Sequence, residues 1–227
     1  GGVLACLRRE VLPRDIIVLA GDGLYDVDLD QLLALHRESA ADLTIGVTAV
    51  EDGSRYGVLT VDNINRVNAM REKPANVGAV QSASCGVYVL ARRVIHQFAD
   101  QTGPLDWVDV VATLLSEGRL VIAGRVLRWL DAGNPLDLLA LNLHLLNSST
   151  VGRVADRIHH PTASIWMQGP ERNVRIAECE GAVLIGESVT FEPNVRLANA
   201  VIGTGARLGA NVVVRNAVVL PGSAIPT

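Results

Sequence analysis

The 227-residue chain is 49% hydrophobic and 19% charged, with a net charge of -4 and a pI near 5.7, enough apolar material for a core shared between two domains. The acidic balance excludes bulk attraction to nucleic acid or an anionic membrane surface, although a local basic pocket could still hold a phosphate ester. No apolar run nears the roughly 20 residues that cross a bilayer, no signal-peptide pattern opens the sequence, and Cys6, Cys85 and Cys179 lie outside any CxxC spacing, so a cytoplasmic protein with reduced thiols is expected.

In chain order, Val3 to Leu12 spaces its apolar residues as a helix would, and Pro13-Arg14-Asp15 turns into Ile16-Ile17-Val18-Leu19-Ala20. That continuous apolar run reads as a strand buried on both faces, of the kind found in helix-covered parallel sheets. An amphipathic helix over Leu29 to Ala41 and a strand over Leu43 to Val50 follow, giving the order α-β-α-β. Strands are expected at Gly57 to Val61, Val67 to Arg71 and Cys85 to Leu90. Helices are expected at Arg92 to Phe98, Trp107 to Glu117 and Pro135 to Leu146, the last capped by Asn134 with Pro135 in its first turn. Asn147-Ser148-Ser149-Thr150 reads as a linker, dividing the chain into domains 1–150 and 151–227.

Beyond the linker the pattern changes. Aliphatic or aromatic residues fall at Ile185, Phe191, Leu197, Ile202, Leu208, Val214, Val219 and Ile225, so that five pairs, from Ile185 and Ile202 to Leu208 and Ile225, are each 17 residues apart. A short strand every five or six residues, with Gly186, Gly203, Gly209 and Gly222 near the corners, fits a prism of three flat faces, each contributing one inward side chain. A parallel β-helix built of such hexapeptide-like units is the expected second domain, a β-sandwich the alternative.

Five segments together resemble the sugar-phosphate nucleotidylyltransferases, the family that makes nucleotide sugars. They are Leu19-Ala20-Gly21-Asp22, Ser54-Arg55-Tyr56-Gly57-Val58, Glu72-Lys73-Pro74, Ser84-Cys85-Gly86-Val87-Tyr88-Val89-Leu90 and Trp129-Leu130-Asp131-Ala132-Gly133-Asn134-Pro135. The resemblance implies an α/β, partly Rossmann-like nucleotidyltransferase domain followed by a left-handed parallel β-helix. It also implies a reaction in which a sugar 1-phosphate oxygen attacks the α-phosphorus of a nucleoside triphosphate and releases pyrophosphate. Two anions must meet, so charge neutralisation and in-line positioning matter more than acid-base work.

A divalent cation, Mg²⁺, is the cofactor this implies, because it takes few hard oxygen ligands and keeps waters and substrate phosphates. Asp22, at the carboxyl end of a strand, and Asp131 are the implied metal-site carboxylates; a strand-end turn and a helix cap are their ordinary alternatives. Lys73 would contact the sugar phosphate and Glu72 the sugar hydroxyls. The proline after Lys73 should hold its backbone extended, pointing the two side chains to opposite sides. Tyr56, Gly57, Ser84 and Gly86 complete the implied substrate-binding set, the glycines by letting backbone approach a sugar. Serine at position 84 and the wording of Leu19 to Tyr25 resemble the ADP-glucose branch.

Arg125, Arg128, His36, His144, His159 and His160 have no spacing that marks a metal site or triad and are expected to be solvated or capping. Asp26, Asp28 and Asp30 read as a helix start rather than a calcium loop, whose glycine and distal glutamate are missing. The glycine-rich phosphate loop of the family is not in this sequence. The chain therefore reads as a fragment of an enzyme or, alternatively, as a non-catalytic regulatory or assembly subunit. An acyltransferase built on the same β-helix would need more coils and a histidine within them. Association of copies through the open end of the prism is expected.

Overall fold

The computed structural model describes residues 14–75, 79–98, 103, 105–161, 163–169 and 178–227. The expected helix over Val3 to Leu12 lies outside these. The chain divides into two compact units, Gly1–Leu130 and Asp131–Thr227, a division that falls before the last long helix, ahead of the boundary read at Thr150.

In the first unit, β1 (Asp15–Leu19), β3 (Leu43–Val50), β4 (Gly57–Val61), β5 (Val67–Glu72), β6 (Gln81–Ala91) and β7 (Val121–Arg125) form one mixed sheet. Strand β6 is the organiser. Its second half pairs antiparallel with β1, from Leu19↔Val87 to Asp15↔Ala91, while its first half pairs with β4, and β3 runs along its other edge. Strands β3 and β7 are parallel. The apolar run at 16–20 is thus a strand, as expected. Its described partner is antiparallel, however, and it is half-buried with Leu19 exposed: β6 stands between β1 and the parallel β3–β7 pair, in place of the parallel neighbour the run implied.

Helix α1 (Leu29–Glu38) starts where Asp28 accepts a hydrogen bond from the amide of Gln31 at 2.9 Å, the helix start read for the alternating aspartates. Helices α2 (Arg92–Phe98) and α3 (Trp107–Ser116) lay Val94, Ile95, Phe98, Val110, Val111 and Leu114 onto Leu43, Ile45, Tyr88 and Leu90 of the sheet. A two-stranded ribbon, β2 (Gly23–Asp26) with β8 (Arg128–Asp131), was not evident in the sequence pattern. Strands of four residues show too little alternation to be seen.

The second unit opens with α4 (Pro135–Leu146), capped by Asn134 as expected, and a short 3₁₀ turn at Ser149–Arg153. Strands β9 (Asp156–Ile158), β10 (Ala163–Met167), β11 (Cys179–Ile185), β13 (Arg196–Ile202) and β15 (Val213–Val219) then make one face sequence. Strands β12 (Thr190–Phe191), β14 (Arg207–Leu208) and β16 (Ala224–Ile225) stack into another. Strand β9 pairs antiparallel with β10; from β10 onward pairing is parallel, with Leu197↔Val214, Ile202↔Val219, Phe191↔Leu208 and Leu208↔Ile225 in register, so the 17-residue period is the coil of a parallel β-helix. Asn199 and Asn216 turn β13 and β15 through corners at φ 46° and 47°, and Asn199 donates to Asn216 at 3.3 Å. Asparagine tolerates this left-handed backbone better than most residues. Of the eight repeat positions, Ile185, Leu197, Ile202, Leu208, Val214 and Val219 are buried, Phe191 is partly so, and Ile225 on the last coil is 36% exposed.

Candidate functional site

The β4–β5 hairpin and the middle of β6 bring the expected substrate residues together. Gly57 faces Glu72 across the hairpin, and a side chain built on Gly57 would meet the Met70 methyl, Glu72 Oε2 at 3.3 Å and Ser84 Cβ at 3.9 Å. Gly57 is buried, and the Met70 methyl fills the place a side chain would take, with Glu72 on one side and Ser84 on the other. The amide of Lys73 donates to the carbonyl of Tyr56 at 2.9 Å, adding one rung to the ladder.

At this rung the Lys73 backbone turns. Its φ is 42°, in the left-handed region and not the extended conformation the following proline led one to expect. The reversal brings the Lys73 ammonium to 3.6 Å from Glu72 Oε1, both groups being largely in solvent, so the two heads share a side instead of pointing apart. A strained backbone of this kind is kept where its surroundings fix it; the Tyr56 carbonyl anchors the amide on its near side. Lys73 is also the only lysine in the chain.

Ser84 is buried, and its hydroxyl lies 3.0 Å from the Tyr88 hydroxyl. Burial pushes the Tyr88 phenol up to about 12, so it stays protonated, and its ring stacks on Trp107 at 3.6 Å. Gly86 adopts φ 74°, and its carbonyl accepts from the Ala20 amide at 2.8 Å. A Cβ on Gly86 would stand 2.8 Å from Ala20 Cβ and 3.4 Å from the Tyr25 hydroxyl, while that hydroxyl donates to the Ala20 carbonyl at 3.0 Å. Contacts therefore run without a break from Glu72 through Gly57, Ser84 and Gly86 to Ala20. Asp22 sits exposed in the turn that follows, at the carboxyl end of β1.

Trp129 of β8 meets Tyr56 edge-on, with ring centroids 4.7 Å apart, and its indole nitrogen would lie 3.1 Å from a Cβ on Gly23. Sequence reasoning had not assigned Tyr25, Tyr88 or Trp129 a part in this wall, although all three stand inside segments already singled out. Asp131 ends β8, half-buried, with its Oδ2 2.8 Å from where a Cβ on Gly133 would be. Among the described residues no three or more His, Cys, Asp or Glu side chains gather as a metal cluster. A site of two carboxylates completed by phosphates and water would not form such a cluster.

His36 corrects the expectation of a solvated or capping role. It is 2% exposed, with Nδ1 2.8 Å from Thr44 Oγ1, and burial lowers its pKa despite the nearby Asp15 carboxylate. Its position on the inner face of α1 places it against β3. Free Cys85 and Cys179 are buried, their thiols pushed up to about 12 and 11 by desolvation, and so are unreactive.

A Rossmann-like α/β domain joined to a parallel β-solenoid is the class of protein these elements define, with backbone, carboxylate and ammonium groups lining one part of the sheet. Residues 4–148 match the nucleotidyl transferase family model, and the chain belongs to that family. It is 26% identical to a glucose-1-phosphate adenylyltransferase of Bacillus cytotoxicus, over 96% of this chain and 64% of the relative. A relative of the same name from Clostridium perfringens is 26% identical over 94% and 56%, and one from Bacillus cereus 27% over 91% and 61%. The chain thus spans less than two thirds of the length of these curated relatives. The crystal structure of HddC from Yersinia pseudotuberculosis is similar at 22% identity and a TM-score of 0.49, over 61% of this chain and 59% of that one.

Proposed function

We propose that this chain is the sugar-phosphate part of an enzyme that transfers a nucleotidyl group from a nucleoside triphosphate to a sugar 1-phosphate. The observation that carries the reading is the constellation around Gly57: the Glu72 carboxylate and Ser84 flank this glycine, and the chain's only ammonium side chain lies 3.6 Å from that carboxylate. A phosphate ester of a polyol needs a cation for its phosphate and acceptors for its hydroxyls. Lys73 supplies the first and Glu72 the second, with Gly57 and Gly86 on the strands beside them. Tyr56, held against Trp129, stands next to Gly57 in the chain.

In the reaction, an oxygen of the sugar 1-phosphate forms a bond to the α-phosphorus. The bond from that phosphorus to the bridging oxygen breaks, and the electron pair leaves with pyrophosphate. No proton need move, since the attacking phosphate is ionised at neutral pH. Lys73 holds the nucleophile's phosphate and offsets its charge during the approach. Asp22 and Asp131 are the carboxylates proposed for Mg²⁺, each a hard oxygen donor at the end of its strand, a donor set that fits this ion. When bound, the ion would neutralise the triphosphate and the charge that builds on the leaving oxygen.

The names of the relatives make ATP and glucose 1-phosphate the first pair to try. The buried free thiols fit a reducing compartment, the cytoplasm; no described helix is long and apolar enough to cross a membrane. Exposed Val213, Leu220 and Ile225 on the last coils fit association of copies through the β-helix. The test is Asp131→Asn in the complete protein. Turnover should fall roughly 100-fold or more, a loss of about 3 kcal/mol in the transition state, with the unfolding transition unchanged. Undiminished turnover would remove Asp131 from the mechanism, and a wild-type protein without any turnover would favour a regulatory or assembly subunit.

A further inference from the structure

Met70 precedes Glu72 by two residues on β5. Its partner on β4 is Leu59, as Gly57 is the partner of Glu72, and alternation along the strand puts Met70 and Glu72 on one face. The side chain is half-buried and packs against the core that holds Leu43, Tyr88 and Leu90. Core packing alone does not account for where it ends. Its terminal methyl stands where a Cβ on Gly57 would be, a place 3.3 Å from Glu72 Oε2 and 3.9 Å from Ser84 Cβ. Side chains in strands lean along the strand direction, and here the absence of a side chain at Gly57 lets the thioether lean until its methyl lies beside the carboxylate.

That position bears on which sugar fits. The Lys73 ammonium and the Glu72 carboxylate are 3.6 Å apart, so with the phosphate on Lys73 the hydroxyl within reach of Glu72 is one close to the phosphate. On a sugar 1-phosphate this is the substituent at C2. A carboxylate is an acceptor only, and it takes a hydrogen bond from a hydroxyl or from the N–H of an acylamino group. Glu72 by itself therefore does not separate a hexose from a 2-acetamido sugar. Space separates them: an acetyl group at C2 needs room beside the carboxylate, and the Met70 methyl occupies room there. A methyl also gives no hydrogen bond to the acetyl oxygen, which would lie unpaired against it.

We propose that Met70 is a specificity-determining residue, one that admits sugar 1-phosphates with a hydroxyl at C2 and excludes their 2-acylamino counterparts; this rests on the sugar-phosphate reading of the site. The test is steady-state kcat/KM in the complete protein, at saturating ATP, for glucose 1-phosphate and for N-acetylglucosamine 1-phosphate. The wild type should favour glucose 1-phosphate by roughly 100-fold, the scale on which the shape of a pocket discriminates. Met70→Ala should lower that preference by about tenfold or more through faster use of the acetamido sugar, with glucose 1-phosphate changed less than about threefold. Met70→Val, whose branched side chain suits a strand, should shift it less in the same direction and reads the same ratio should the alanine variant fail to fold.

Adding Gly57→Ala to Met70→Ala should restore most of the preference, because the new Cβ stands where the methyl was. A merely structural role for Met70 would not be repaired in this way. Parallel losses with both sugars would overturn the proposal, as would a relaxed preference that Gly57→Ala leaves untouched or a wild type that uses both sugars alike. A wild type that turns over neither sugar would overturn the sugar-phosphate reading and this proposal with it, whereas the other contrary results fall on Met70 alone.

Discussion

The sheet of the first unit and the coils of the second bury similar aliphatic side chains, but they do so under different rules. In the β-helix each inward residue repeats its neighbour 17 positions on, as in Leu197↔Val214 and Ile202↔Val219, so position along the chain dictates position in space. In the sheet, β6 alone joins β1, β3 and β4, pairing residues as far apart as Asp15 and Ala91, and the candidate site collects Tyr56, Gly57, Glu72, Lys73, Ser84 and Gly86 from on or beside the consecutive strands β4, β5 and β6. Repetition makes the first kind of structure legible and uniform. Non-local pairing makes the second kind able to carry groups of differing chemistry at one place.

The contrast is broken most severely by a charge in the prism. Ile202→Asp, in a middle coil at 1% exposure, should cost about 4 kcal/mol or more and unfold the second unit. The same change at Ile225, on the open last coil, should cost under about 1 kcal/mol, as read from denaturant midpoints. Equal effects would mean that the coils do not share one core. A milder test sits in the left-handed positions. Gly86→Ala should cost about 2 kcal/mol, since it combines an unfavourable φ with the approach to Ala20. Gly205→Ser, at φ 69° in a coil column that already holds Ser188 at φ 56°, should cost no more than about 1 kcal/mol.

A smaller and pH-dependent difference is expected at His36, buried between α1 and β3. Its folded pKa lies below the value of 6.5 it regains on unfolding. Above that value the ring is neutral in both states and stability is unaffected. As pH falls through 6.5 the unfolded chain takes up a proton that the folded chain refuses, so stability declines with acidification. His36→Gln should flatten the dependence of unfolding free energy on pH between about 7 and 5, measured by urea titration. An unchanged slope would assign the dependence to other groups.

The β-helix was visible in the sequence because eight apolar positions keep one period, and α1, α3 and α4 were visible because their caps and apolar spacing are local. Ribbon β2–β8 and strands β7, β9 and β10 were not, because short strands carry little periodicity and their pairing is decided by distant partners. The conformation of Lys73 went the other way from its local rule. Proline at 74 argues for an extended backbone, but Lys73 adopts φ 42° where its amide is tied across the hairpin to the Tyr56 carbonyl. The site residues were legible only as a resemblance in five short segments. The structure adds the reason that Gly57, Glu72 and Ser84 belong together, and it shows Tyr88, Tyr25 and Trp129 supporting them. His36 was misread because a lone histidine on a helix gives no sign of which face it occupies until Thr44 is placed opposite.

The central claim rests on Lys73, the chain's only lysine, as the cation that receives the sugar phosphate. Steady-state kinetics of Lys73→Gln in the complete protein should show the KM for the sugar 1-phosphate raised roughly 100-fold, about 2.7 kcal/mol, with the KM for the nucleoside triphosphate changed less than about threefold. An unchanged sugar-phosphate KM, or a loss confined to the nucleotide, would contradict the account.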